Sequence, residues 1–564
     1  MPTIEVERED LEALLGLKLP RSPEELDEIF SFIKGEVKYV DENEIHIDIK
    51  DSNRADLWGV EGIARALRGI LGIETGLKRY EITGDSGVKV YVNESLRNIR
   101  PYIACAVVKN VRLTDAAIRH IMRFQDKMDQ TYGRSRRRTS IGLYDFDLIV
   151  PPLKYTVSKP DETKFVPLGF DEELTLREIL EKHPKGIMYG HIVKPYDIWP
   201  ILKDSRENVL SFPPIINSND LGRVTVDTRN ILIEVTGTVY ETVLYTLTNV
   251  TFALADRGGT IHSAEIYYPY GDLKYAKTPD FRNEKMKISV KYVHEIIGIP
   301  LSIQEVINLL ERSRYGVSEV IDEDNIVVEI PCYRPDIMHP IDIIEDIAIA
   351  YDLNKMQPRW PPISTAGGLH PETMLRDLIR ELMVGLGYQE VLTFTLSNPD
   401  TLFRKMNILP EKVVELANPR VSWMTCLRNW LLPNLMEFLS HNTHVEYPQK
   451  IFEVGYCVVH DEKQVNKTRD IEKLGCVTIH SNASFAEIKS TLDALLTNLG
   501  LKYDLEETSH GSFIEGRVGK IIVEGEETGL IGEIHPQVLQ NWNLENPAAA
   551  FELDLSKIWR YIKR

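Results

Sequence analysis

The chain has 564 residues, which at roughly 100–200 residues per domain makes three to five domains. Hydrophobic residues at 43% and charged residues at 27% match an ordinary globular protein and exclude global disorder, collagen and coiled-coil rods. Sixty-six basic against 85 acidic residues give a net charge of −19, which argues against a general nucleic-acid coat.

No stretch approaches the roughly 18 apolar residues of a membrane span. The charged N-terminus has no apolar signal core. The cysteines, Cys105, Cys332, Cys426, Cys457 and Cys476, form no C-x-x-C pair, so reduced thiols in a cytoplasmic protein are expected and no cysteine zinc site.

In chain order, Ser22-Pro23 opens a helix whose Leu26, Ile29, Phe30 and Ile33 repeat at helical spacing up to Gly35. Glu44–Lys50 alternates as a strand, and a loop then feeds a helix from about Asp56. The turn-rich GDSG closes this first unit, 1–85. The second unit, 90–265, holds a strand at Ile103–Lys109, a helix at Thr114–Met128, the basic turn YGRSRRR and the strand SIGLYDF. Irregular structure follows at Pro151-Pro152 and LKYTVSKP, then a Val/Ile/Thr-rich stretch from Leu210 to Val250 with turns at Asn217–Gly222. A small α/β unit, 275–357, ends at a proline-rich linker, Pro358–Ile363. The last unit, 363–564, opens with a helix bearing Leu375, Leu378, Ile379, Leu382 and Met383 on one face. The strands EVLTFTLS, KIFEVGYCVVH, KLGCVTIH, GKIIVEG and ETGLIGEI follow. The expected fold class is multidomain, α/β and α+β, ending in an antiparallel sheet with helices on it.

Charge is not spread evenly. From Arg97 to Ser140 there are 11 Lys/Arg against 3 Asp/Glu. There is no P-loop, G-x-G-x-x-G, H-E-x-x-H or G-x-S-x-G. Gly59, Gly62 and Gly69 fit no phosphate cradle and read as helix packing. His441 and His444 lack metal-ligand spacing.

Several segments in register resemble the β subunit of archaeal/eukaryotic-type phenylalanyl-tRNA synthetase: MPTIEVERED, NRADLWGVEGIARALRG, GRSRRRTSIGLYDFD, FPPIINSNDLGRV with IEVTGT, RPDIMHPIDIIEDIAIAYD, GLGYQEVLTFTLS and IGEIHPQVL. The resemblance covers nearly the whole chain. It implies an (αβ)₂ heterotetramer with the α subunit, which carries the adenylation site and binds most of the ATP. It also implies binding of tRNA(Phe) and hydrolysis of mischarged tyrosyl-tRNA. Ala55 stands where the family often has Pro, and Glu234 where relatives often have Asp.

The last unit then resembles a class II synthetase core without its chemistry. The strand that needs Arg-x-Glu reads Lys450-Ile451-Phe452-Glu453, and Gly525, Gly529 and Gly532 precede no helix-opening arginine. Without preplaced cations the main electrostatic contribution at ATP is missing, so the chain alone is expected not to adenylate phenylalanine.

Editing must accept tyrosine and refuse phenylalanine. A site that hydrogen-bonds the phenolic OH discriminates by about 10⁴–10⁵. Glu234 is the candidate carboxylate, and Thr236 shares its strand face. Leu202 and Ser211 join the pocket by resemblance. Asp336, Asp342, Glu345 and Asp346 form an acidic constellation, the last three at i, i+3 and i+4 of a helix started by Pro340. Hard oxygens at that density suit Mg²⁺, as at the matching family positions near the α subunit, although helix-start acids need no metal. Arg134, Arg136, Arg137 and Arg138 are the tRNA-phosphate candidates, supported by Arg119, Arg123 and Lys127. Two other readings stay open: a scaffold and RNA-binding subunit without editing, and a free-standing deacylase.

Overall fold

The computed structural model describes residues 3–361 and 363–562. Pro362, within the expected linker, and Met1 and Pro2, within the opening segment MPTIEVERED, lie outside them. The chain divides into two compact units, Met1–Trp360 and Pro361–Arg564. No helix among the described residues is long and apolar enough to cross a membrane.

The first unit begins with a three-stranded antiparallel sheet in the order Thr3–Glu7, Glu44–Ile49, Gly35–Val40. Alternation places Ile45, Ile47 and Ile49 inside. The helix Pro23–Ser31 starts as the sequence indicates, with Pro23 in its first turn and the Ser22 side chain accepting from the Glu25 N–H. The helix expected from Asp56 instead divides into a 3₁₀ turn, Ala55–Trp58, and an α-helix, Val60–Ile70. Gly62 allows the two to meet, since a Cβ there would lie under 3 Å from the Asp56 carbonyl. Apolar residues from this region and from 104–254 share one core, including Leu11, Leu57, Ile63, Phe124, Ile233 and Leu254.

The central ten-stranded sheet runs Ile216–Asn217, Val209–Phe212, Trp199–Lys203, Leu153–Ser158, Ile82–Val92, Thr260–Tyr267, Tyr102–Lys109, Ile231–Gly237, Thr139–Asp145, with Tyr275–Thr278 paired beside Thr260–Tyr267. Two expectations change here. GDSG is not a turn between units but lies inside the strand Ile82–Val92, paired in parallel with Thr260–Tyr267. Its turn residues serve a bulge at a register shift, where Gly87 takes φ 79° and Ser86 Oγ donates to the Ser263 carbonyl at 2.6 Å. LKYTVS is likewise a strand rather than irregular structure, with Leu153 and Tyr155 buried.

The β-branched run after Gly237 forms the helix Tyr240–Asp256, buried on most of its surface and packed on Tyr102–Lys109 and Ile231–Gly237. Burial overrides its weak helix propensity. The Thr246 and Thr251 hydroxyls donate back to the carbonyls of Thr242 and Leu247. The unit ends with a three-stranded sheet, Glu284–Ser289, Asn325–Ile330, Gly316–Val320, covered by the helices Val290–Ile297, Ile303–Arg312 and Pro340–Tyr351.

The second unit is a seven-stranded sheet in the order Gln389–Glu390, Gln449–His460, Thr468–Ile479, Ala548–Asp554, Glu526–Ile534, Phe513–Val523, Tyr503–Glu507. Only its first pair is parallel. Successive residues feed opposite cores. Ile451, Val477 and Ala550 meet the helix Leu432–His441, while Phe452, Cys476 and Phe551 meet Pro371–Gly385 and Phe485–Asn498. EVLTFTLS is a strand only at its ends, Gln389–Glu390 and Leu396–Ser397. Between them Leu392 and Phe394 stand 80% and 72% exposed, so the apolar alternation there covers no core.

Candidate functional site

Three adjacent strands, Tyr102–Lys109, Ile231–Gly237 and Thr139–Asp145, build the site. Glu234 lies opposite Cys105 on one side and Gly142 on the other. Its neighbours Ile233 and Val235 enter one core, so alternation turns Glu234 to the other face, where it is 2% exposed. The Tyr144 hydroxyl donates to Glu234 Oε2 at 2.8 Å, while Oε1 has no partner among the described residues. Burial pushes the Glu234 pKa up to about 7, against the opposing effects of the Tyr144 hydrogen bond and the Arg100 charge. Gly142 makes the room. A Cβ there would lie 2.6 Å from Glu234 Oε2 and closer still to the Tyr144 hydroxyl.

Glu234 opens on a cavity of about 370 Å³ whose wall includes Ser140, Ser211, Asn217, Arg136 and Arg223 and whose rim is Pro213–Ile216. Ser211 Oγ is also buried without a hydrogen-bond partner among the described residues. Two expected pocket residues lie elsewhere. Leu202 is fully buried in the core with Val90, Tyr155 and Leu210. Thr236 shares the face of Glu234, but its hydroxyl accepts from Arg100 Nε at 2.9 Å and sits 3.2 Å from Ser140 Oγ. Both are off the cavity wall because apolar packing and a buried guanidinium take them first.

The basic turn divides its arginines. Arg134 and Arg137 are exposed and Arg138 half-buried, and none of the three forms an ion pair among the described residues. Arg136 is 7% exposed, and its expected role as a phosphate ligand is corrected. Its Nη1 donates to the carbonyls of Pro214 (3.1 Å) and Ile215 (2.8 Å). Its Nε lies 3.0 Å from buried Asp129, and the guanidinium sits 4.5 Å from the Tyr189 ring centroid. On the preceding helix, Asp115–Gln130, Arg119 pairs with Glu7 and Arg123 with Glu5, which neutralises the expected extension of the patch except for Lys127.

The four acidic candidates do not converge either. Arg334 holds Asp336 at 2.7 Å and Asp346 at 2.9 Å, and the Tyr315 hydroxyl donates to Asp346 at 2.6 Å. Asp342 caps its own helix, accepting from the Met338 and His339 N–H groups at 2.8 Å. Glu345 reaches outward to Lys34 at 2.7 Å. Helical spacing puts these residues near one another, but every one of the four carboxylates already has a partner: Arg334 for Asp336 and Asp346, the helix start for Asp342 and Lys34 for Glu345. Among the described residues no group of three or more His, Cys, Asp or Glu is placed to hold a metal, so the set does not fit a shared Mg²⁺.

In the second unit, Lys450 pairs with Glu487 at 2.9 Å and Glu453 with Arg428 at 2.7 Å. Arg428 and Glu453 are both buried. Tyr144, Gly142, Asn217 and the inward turn of Arg136 escape a reading of the sequence. Only the glycine two positions before Tyr144 in SIGLYDF, opposite a buried acid, carries a signal, and it needs the strand register to be seen.

Residues 286–353 match the tRNA synthetase B5 domain family and residues 356–555 the phenylalanyl tRNA synthetase beta chain CLM domain family. The phenylalanine–tRNA ligase beta subunit of Pyrococcus furiosus is 46% identical over 564 residues, covering 99% of this chain and 100% of that one. The beta subunit of Methanocaldococcus jannaschii is 43% identical over 559 residues, covering 98% and 100%. An N-terminal fragment of the phenylalanyl-tRNA synthetase beta subunit from Pyrococcus horikoshii superposes with a TM-score of 0.59 at 42% identity, over 62% of this chain and 99% of the fragment. With near-full-length identity to named relatives at this level, the chain belongs to the phenylalanine–tRNA ligase beta-subunit family and is a subunit of that ligase.

Proposed function

We propose that the cavity beside Glu234 removes tyrosine wrongly attached to tRNA(Phe). One observation carries the reading: Glu234 lines the cavity, and its buried carboxylate oxygen Oε1 has no hydrogen-bond partner among the described residues. A tyrosine phenolic OH donates to it. A phenylalanine ring leaves it unsatisfied, and a desolvated polar atom without a partner costs about 1–3 kcal/mol or more, which sets the direction of discrimination. Tyr144 fixes the other oxygen. The ester is then opened by water held between backbone groups and the tRNA ribose.

In this reading residues 90–265 are the editing domain, 1–85 an N-terminal domain and 275–357 a B5-like domain. Residues 363–564 are a class II synthetase-like core that does no adenylation. The chain works in the cytoplasm as half of an (αβ)₂ heterotetramer, whose α subunit holds most of the ATP and the Mg²⁺ that accompanies it. Arg134, Arg137 and Arg138 meet tRNA phosphates.

The test uses the chain co-purified with its α partner and both aminoacyl esters on tRNA(Phe). Fast loss of tyrosine over phenylalanine, reduced about a hundredfold by Glu234→Ala, is expected. Hydrolysis no faster than in buffer leaves a scaffold subunit without editing.

A further inference from the structure

The turn between the helix Asp115–Gln130 and the strand Thr139–Asp145 has an unusual backbone. Arg134, Ser135 and Arg136 take φ of 49°, 53° and 64° in succession. This is left-handed space that residues with a Cβ avoid unless their surroundings impose it. Backbone hydrogen bonds from the Ser135 and Arg136 N–H groups to the Gln130 and Asp129 carbonyls hold the turn, and Arg100, 2% exposed, braces its end. Its Nη1 donates to the Arg136 carbonyl at 3.0 Å and, more weakly, to the Arg137 carbonyl at 3.4 Å. Its Nη2 donates to the Thr236 carbonyl at 2.7 Å and to Ser140 Oγ at 3.0 Å. One guanidinium therefore joins the turn to the strand that carries Glu234.

The turn in turn delivers the Arg136 side chain to the cavity wall. Arg136 Nη1 bridges two consecutive rim carbonyls, those of Pro214 and Ile215, while Asp129 and the Tyr189 ring hold the rest of the guanidinium. A lysine has neither the fork nor the flat face for that set of contacts.

We infer that Arg136 is a positioning residue of the proposed hydrolytic pocket, fastening the Pro213–Ile215 rim to the turn, so that the inward and outward arginines of one turn divide pocket geometry and tRNA contact between them. This rests on the editing reading above. Arg136 acts through the rim, whose displacement by about 1 Å is enough to cost up to a hundredfold in rate. Exposed Arg137, by contrast, has only nucleic acid to lose.

The experiment measures kcat and KM for tyrosyl-tRNA(Phe) hydrolysis with the α-containing complex, below each variant's unfolding midpoint. Arg136→Lys is expected to lower kcat at least about tenfold with KM within about twofold. Arg137→Ala is expected to raise KM with kcat nearly unchanged. Tyr189→Leu loosens the seat of Arg136 without altering any charge, and should lower kcat in the same sense but less. It serves where Arg136→Lys fails to assemble. The inference is overturned if Arg136→Lys or Tyr189→Leu lowers only the unfolding midpoint, or if Arg136→Lys raises KM as Arg137→Ala does, since that is the behaviour of a phosphate contact. A wild-type complex that does not hydrolyse the tyrosyl ester overturns the editing reading itself and this inference with it, whereas a wild-type-like Arg136→Lys overturns this inference alone.

Discussion

A buried carboxylate held by Tyr144 on one oxygen and unpartnered among the described residues on the other titrates where a solvated one does not. Glu234 is raised from the ordinary glutamate value of 4.5 to about 7 by burial. In the unfolded chain the same group ionises near 4.5, so between those values the folded chain binds more protons, and this group's effect on stability becomes less favourable as pH rises through that window. The functional consequence has the opposite sense, because the ionised form is the stronger acceptor for a phenolic OH. The ratio of tyrosyl to phenylalanyl ester hydrolysis cancels the hydroxide dependence common to both esters. That ratio is expected to climb as pH passes about 7, and to stay flat in Glu234→Gln. A flat ratio in the wild type would mean that the carboxylate does not meet the ring. Glu234 was legible in the sequence as an acid inside an apolar strand. Tyr144 and Gly142 were not, because their meeting with Glu234 depends on which strands pair and in which register.

Among the elements, the helix Pro340–Tyr351 shows why acids at i, i+3 and i+4 are weak evidence for a metal. Asp342 satisfies its own helix start, Glu345 faces out, and Asp346 is drawn into a buried pair with Arg334. The Arg334 guanidinium and the Tyr315 hydroxyl hold the Asp346 carboxyl below the usual carboxylate range, against the opposing effect of burial. A depressed carboxylate adds stability that is complete above its unfolded value near 3.8 and is lost as pH falls below it. Asp346→Ala leaves Arg334 with only Asp336 as carboxylate partner in a buried setting, an event that costs about 3–5 kcal/mol. Thermal unfolding should show that loss, while a chelator should leave the wild-type midpoint unmoved. A midpoint that falls with chelation would restore a metal to this helix. Part of this arrangement was visible in sequence, since Arg334 and Asp336 share the turn RPD. Tyr315 and Lys34 come from distant elements, and no local pattern announces them. The same limit hid the strand character of GDSG, whose turn residues serve a bulge.

For the whole molecule, net charge and local charge answer different questions. The −19 of the chain coexists with a basic stretch, yet that stretch spends Arg100 and Arg136 inside the fold and pairs Arg119 and Arg123 with Glu7 and Glu5. A similar accounting applies to the second unit. Its central sheet and the segment after Leu427 carry cations, but Lys450 holds Glu487, Arg428 holds Glu453 and Lys473 holds Glu552 at 2.8 Å. Binding a triphosphate there would require breaking pairs of which Arg428–Glu453 and the Glu552 end of Lys473–Glu552 are buried, and leaving a buried carboxylate unpaired costs about 3–5 kcal/mol. Adenylation depends on cations already aimed at the developing charge, and none of these three is free to be aimed. The chain without its α partner is therefore expected to give no phenylalanine-dependent ATP–pyrophosphate exchange above background, at any phenylalanine concentration tried. Exchange by the isolated chain would show that at least one of these pairs opens to ATP and that the second unit is a working synthetase site. Exchange that appears only on adding the α subunit would put the chemistry on the partner and leave this sheet as the surface that supports it.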